Sequence, residues 1–231
     1  MNIFRSIQHR VGLITPRSLR SALQDGESIA RTLRVALERR LPKESSRTLE
    51  LGAADTFLDE LLGVDSSPLI PKESNAGSTP FVSASVSAIL RMLDALNLQS
   101  GDVLCDVGAG RFRIPILAHL LTELPTMGVE LDSELAESAK KTLFEHHISF
   151  VRVLQGDACT ADLSQANIFS FNLPFSEEVL QRFLKHIKPL ARDRRIVIYP
   201  FCWHYPFWQV PWLSAKRAPG KDHYLFVSKS P

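Results

Sequence analysis

The sequence predicts an α/β chain: a mostly parallel seven-stranded sheet with helices on both faces, an antiparallel C-terminal hairpin, and a helical N-terminal extension. Three observations carry this expectation. From residue 80 onward, short apolar runs alternate with amphipathic stretches, the texture of right-handed crossovers in a parallel sheet. The run Val103-Leu104-Cys105-Asp106-Val107 passes directly into Gly108-Ala109-Gly110, a strand ending in a tight glycine turn before a helix. Acidic residues stand at or just past the ends of the next two apolar runs, at Glu130 and Asp157.

The N-terminal part differs in charge from the rest. Residues 1–47 carry +6 and residues 48–231 carry −4, for a net +2 over 231 residues. The first 24 residues hold Arg5, Arg10, Arg17 and Arg20 and no acid. Ile29, Leu33, Val35, Leu37 and Leu41 partly follow helical spacing, so a basic amphipathic helix packed on the domain is expected here. Peripheral contact with an anionic surface is one alternative, and a mitochondrial transit peptide is another. Pro42 to Ser46 breaks this region, a short helix is expected over residues 48–62, and residues 63–79, rich in Pro, Ser and Gly, read as a linker. The division is therefore an extension over residues 1–79 and a domain over residues 80–231.

Within the domain, Val86, Ile89, Leu90 and Leu93 give helical spacing over residues 83–96. Strands are expected at 103–107, 127–131, 150–154, 168–172, 195–201 and 223–228, and helices at 114–121, 134–145 and 177–187. The turn signal Ala218-Pro219-Gly220-Lys221 joins the last two of these strands as a hairpin. No run reaches the roughly 18 apolar residues of a membrane span. Three widely spaced cysteines (Cys105, Cys159, Cys202) without a C-x-x-C pair argue against a disulfide framework and for a reducing compartment. A cytoplasmic location is expected, with the mitochondrion as the alternative. No His/Asp/Glu cluster has metal-ligand spacing, so no metal is expected.

The chemistry is concentrated after the first strand. Glycines at 108 and 110 let a ligand approach the backbone, and the following helix N-terminus offers unpaired N–H groups. Glu130, at the end of the second strand, suits ribose hydroxyls, and Asp157, past the third, can reach an exocyclic amine of adenine. Asp106 stands before the first glycine, and Phe112 occupies the place where a third glycine would complete G-x-G-x-G.

In order and spacing these elements resemble the class I S-adenosylmethionine-dependent methyltransferases, over residues 106–201. The resemblance implies a Rossmann-like class I methyltransferase fold, S-adenosyl-L-methionine as cofactor, and Asp106, Gly108, Ala109, Gly110, Glu130 and Asp157 around it. In that reading Phe112 narrows the methionine end of the pocket. Thr79-Pro80-Phe81-Val82-Ser83-Ala84-Ser85 is similar to a segment of the small lysine methyltransferases related to the disruptor-of-telomeric-silencing enzymes, where it caps the methionine end. This adds Phe81 and Ser85 to the expected cofactor contacts. Residues 57–65 and Asn75-Ala76 resemble bacterial members.

The turn Asn172-Leu173-Pro174-Phe175 is similar to the Asn-Pro-Pro-aromatic turn of N-methyltransferases, with Leu173 replacing the first proline. Asn172, Pro174 and Phe175 are therefore the expected catalytic residues, with Asn172 also near the cofactor. An amine nucleophile needs acceptors for its N–H groups, and Asn172 and the Leu173 carbonyl supply them. All three tryptophans fall in the aromatic stretch 200–212. It suits the apolar stem and cationic head of a lysine, or else covers the sheet where a helix is missing. His204 within it is a conceivable general base.

The reading is an N-methyltransferase acting on a lysine of a protein or peptide, with no nucleic-acid partner. A small-molecule or peptide-tailoring N/O-methyltransferase is the alternative, and a non-catalytic partner-binding module keeping the fold is the alternative of another class.

Overall fold

The structure, a computed structural model, describes residues 84–172, 176–201, 207–217 and 224–229, together with Asp55 and Asp59. Its elements run α1 (Val86–Leu96), β1 (Leu104–Val107), α2 (Arg113–Thr122), β2 (Thr126–Glu130), α3 (Ser133–Glu145), β3 (Val151–Gln155), β4 (Ile168–Phe171), α4 (Glu177–Ile187), β5 (Val197–Pro200), β6 (Leu213–Arg217) and β7 (Tyr224–Ser228). Short 3₁₀ turns lie at Lys188–Arg192 and Phe207–Gln209.

The seven strands form one sheet in the order β3-β2-β1-β4-β5-β7-β6. β1 to β5 are parallel to their neighbours, and β7 is antiparallel to both β5 and β6. The expected architecture, a doubly wound sheet with an antiparallel C-terminal hairpin, is therefore present. One detail is corrected. The hairpin partner of β7 is β6, a strand the sequence does not announce, and β7 inserts between it and β5. β6 escapes notice because it is an edge strand whose Ala215, Lys216 and Arg217 face solvent, the charged composition that protects an edge from pairing.

Successive strand residues alternate between two cores because side chains alternate across a pleated sheet. Leu104, Ile168 and Val197 join the α1 and α2 side with Ile89, Met92, Phe112 and Leu117. Cys105, Phe169 and Ile198 join the α4 side with Phe183, Leu184 and Phe226. Burial on both faces is why β1, β4 and β5 read as mostly apolar runs without polar alternation.

Helix starts are set by local capping. Ser85 accepts from the Ala88 N–H at 3.2 Å, and Asp132 accepts from Glu134 and Leu135 at 2.8 and 3.1 Å. At the opposite end of the sheet, Asp102 accepts from the Gln99 N–H at 2.8 Å and Asn167 Nδ2 at 2.7 Å. Asn167 Oδ1 in turn accepts from the Val103 N–H at 2.8 Å. This pins the starts of β1 and β4 together and leaves their carboxyl ends level. Among the described residues no helix is long and apolar enough to cross a membrane.

Candidate cofactor site

The carboxyl ends of β1, β2, β3 and β4 bring Gly108 to Gly110, Glu130, Asp157 and Asn172 to one edge of the sheet. Open α/β sheets bind their ligands there. The glycine turn is folded back over β2: the Gly108 and Ala109 N–H groups both donate to the Val129 carbonyl at 2.9 Å. Gly108 and Gly110 have φ of +72° and +55°, the left-handed region where an L side chain costs about 1–2 kcal/mol.

Glu130 closes the arrangement. Its Oε2 accepts from the Gly110 N–H at 2.6 Å and its Oε1 from the Asp132 N–H at 2.9 Å. Burial raises the Glu130 carboxyl above the usual range. The N–H groups of Asp132 and Gly110 oppose that shift, and the Asp132 charge adds to it. The carboxylate has about four lone-pair sites, more than its backbone donors occupy, so hydroxyl donors can still be accepted.

Asp106 lies deeper, 3% exposed, with Oδ1 accepting from the Ser170 hydroxyl on β4 at 2.7 Å. Burial pushes its carboxyl well above the usual range, Ser170 opposes this, and the nearby Glu130 charge adds to it. Two buried carboxyls thus stand beside the glycine turn. Asp157 is more open: Oδ1 accepts from the Cys159 N–H at 2.8 Å, and Oδ2 stands 3.3 Å from Arg182.

Phe112 corrects an expectation. Its φ is +64°, so it keeps the left-handed backbone a glycine would take, but its ring is fully buried in the core. The ring fills the space over Gly128 of β2, where an added Cβ would stand 2.5 Å from Phe112 Cε1 and 2.7 Å from Ala109 Cβ. Gly128 thus serves close packing rather than backbone freedom.

Of the remaining expected residues, Ser85 caps α1, and Asn172 follows β4 at the same edge. Phe81, Leu173, Pro174 and Phe175, residues 202–206 with His204, the turn at 218–221 and the N-terminal arm lie outside the described residues. The described part of the aromatic stretch divides. Phe207 is core, 5.6 Å from the Phe171 ring and 4.9 Å from Phe226, whereas Trp208 is exposed. The covering role is therefore real for Phe207.

Sequence reasoning missed three features. Ser170, partner of Asp106, is 64 residues away from it. Leu131, between Glu130 and Asp132, is a half-exposed apolar side chain at the same edge of the sheet. Arg113, at the start of α2, is buried and paired with Asp55 and Asp59. A groove of about 690 Å³ lined by Val103, Pro125, Phe150, Arg152 and Arg194 lies at the amino ends of the strands, away from all of these residues.

No protein-family model matches the chain. It is similar in structure to an RNA methyltransferase from Salinibacter ruber in complex with S-adenosyl-L-homocysteine. The identity is 23%, over 65% of this chain and 94% of that one, with a TM-score of 0.48. A putative S-adenosyl-L-methionine-dependent methyltransferase from Methanococcus maripaludis aligns at 12% identity, over 62% and 84%, with a TM-score of 0.47. A SAM-dependent methyltransferase from Aquifex aeolicus aligns at 18% identity, over 61% and 87%, with a TM-score of 0.44.

Proposed function

We propose that the chain is an S-adenosylmethionine-dependent N-methyltransferase whose acceptor is a lysine amine of a protein or peptide. The observation that carries the cofactor half is Glu130, at the end of β2, bonded to the Gly110 N–H of the β1 glycine turn at 2.6 Å. It holds a carboxylate and an open backbone turn side by side at the carboxyl edge. In this reading Glu130 takes the ribose hydroxyls, Leu131 lies against the adenine, and Asp157 accepts from its amine. The turn 108–110 lies along the methionine part, with Asp106 behind it. When bound, the cofactor supplies an electrophilic methyl group on a sulfonium centre.

The chain's own residues bind and align. Asn172 accepts an N–H of the incoming neutral amine and fixes its lone pair, because the transfer is an in-line displacement whose barrier depends on alignment. The proton that the amine nitrogen must shed would go to solvent or to an acceptor at the Asn172 turn. The apolar stem of a lysine suits the aromatic stretch that follows β5.

The lysine choice rests on the Asn172 turn and the segment ending at Ser85. Its test is incubation of an extract with radiolabelled S-adenosylmethionine, followed by mass spectrometry of the labelled species. Methyl-lysine in protein is the expected product, and label confined to small molecules or RNA refutes that acceptor. Of the two motives for the partner-binding alternative, the burial of Phe112 in the core weakens the first, and the +6 charge of residues 1–47 remains as the second.

A further inference from the structure

We propose that Asp55 is a positioning residue for the cofactor site, acting through Arg113; the inference rests on the cofactor reading above. Asp55 Oδ1 accepts from the Val86 N–H at 2.8 Å, the first residue of α1, and from Arg113 Nη1 at 2.6 Å, the first residue of α2. Arg113 Nη1 also donates to the Ala84 carbonyl at 3.2 Å, and Nη2 pairs with Asp59. One carboxylate thus bridges the N-termini of two helices, and residues 84–86 are held from both sides.

Those two helix starts flank the candidate site. Residues 84–86 include Ser85, and Arg113 follows Gly110 by three positions. The stretch 110–113 is gripped at both ends: by Glu130 at the Gly110 N–H and by Asp55 and Asp59 at the Arg113 guanidinium. A glycine turn with left-handed residues at 108, 110 and 112 gains its geometry from such anchors.

Arg113 is a poor choice for stability alone. It is 6% exposed, its Nε is buried with no partner among the described residues, and it sits at the positive end of a helix dipole. Replacing a buried ion pair by apolar residues is often neutral or stabilising, so what the pair offers is fixed geometry. The planar guanidinium has set donor directions, and three of its bonds end on Asp55, Asp59 and Ala84.

The experiment compares the full chain with Asp55→Ala and Asp55→Glu by calorimetric titration with S-adenosylhomocysteine and by hydrogen exchange of the unliganded proteins. Asp55→Ala is expected to weaken binding at least tenfold and to speed exchange in the first turn of α1, with α4 unchanged. Asp55→Glu keeps the charge but moves the carboxylate by one methylene, so a positioning role predicts a loss within threefold of that of Asp55→Ala. If Asp55→Ala does not fold, the Asp55→Glu comparison with the parent chain decides alone. Binding within twofold of the parent in either folded variant overturns the proposal, even if the melting temperature falls. No binding by the parent chain at millimolar ligand removes the cofactor reading and the positioning role together.

Discussion

Phe112→Ala, Gly128→Ala and their double variant form a cycle that tests how the glycine turn is supported. Phe112 is fully buried, and truncating a buried Phe costs about 3–5 kcal/mol. Gly128→Ala places a methyl carbon 2.5 and 2.8 Å from two atoms of the Phe112 ring and 2.7 Å from Ala109 Cβ. Overpacking of that kind costs about 1–3 kcal/mol. In the double variant the two clashes with the ring are gone and only the one with Ala109 Cβ remains. The combined loss should then fall short of the sum of the single losses by about 1 kcal/mol or more. Equilibrium urea unfolding of the four proteins reads this directly. Additivity within about 0.5 kcal/mol, the behaviour of independent sites, would show that the ring does not rest on Gly128 and would refute the reasoning.

Two further outcomes follow, the first from the structure and the second from the charge of the sequence. Asp106 has a carboxyl raised by burial above its ordinary 3.8, so the folded state holds this proton longer than the unfolded chain does, and the group costs stability as pH rises through that window. Asp106→Asn keeps an acceptor for Ser170 and should melt higher than the parent at pH 7–8, with the gap closing as pH falls toward 3.8; an equal or lower melting temperature at pH 8 contradicts this. For the basic N-terminal arm, we propose that its arginines attract an acidic substrate segment. Deleting residues 1–44 should then leave cofactor affinity within about twofold and lower turnover several-fold, most at low salt, where screening is weakest. Equal turnover of both proteins at every salt concentration removes that role.

Much of this fold is legible in the sequence because β1, β4 and β5 are buried on both faces and therefore appear as mostly apolar runs. The helix starts at Ser133 and Glu177 are also legible, since Asp132 and Ser176 cap them through bonds spanning two or three residues. Glu130 could be placed because its partner, the glycine turn, belongs to the same strand–turn–helix pattern. β6 is not legible, since an edge strand ending in Lys216 and Arg217 has no apolar signature. The burial of Phe112 depends on the missing side chain of Gly128 on another strand, a tertiary fact with no local trace. The Arg113 pairs span 58 and 54 residues, and the Asp106–Ser170 bond spans 64. Such separations carry no periodicity from which a reader of one sequence could infer them.

The central claim is that Glu130 and the turn 108–110 hold S-adenosylmethionine, and calorimetric titration of the full chain and of Glu130→Ala with S-adenosylhomocysteine tests it most directly. The account predicts saturable binding at one site per chain. In Glu130→Ala it should be weaker by about 1–3 kcal/mol, roughly 5- to 150-fold, from loss of the ribose contacts and of the Gly110 anchor. No heat of binding by the parent chain at millimolar ligand, or equal affinity of the two proteins, would contradict it.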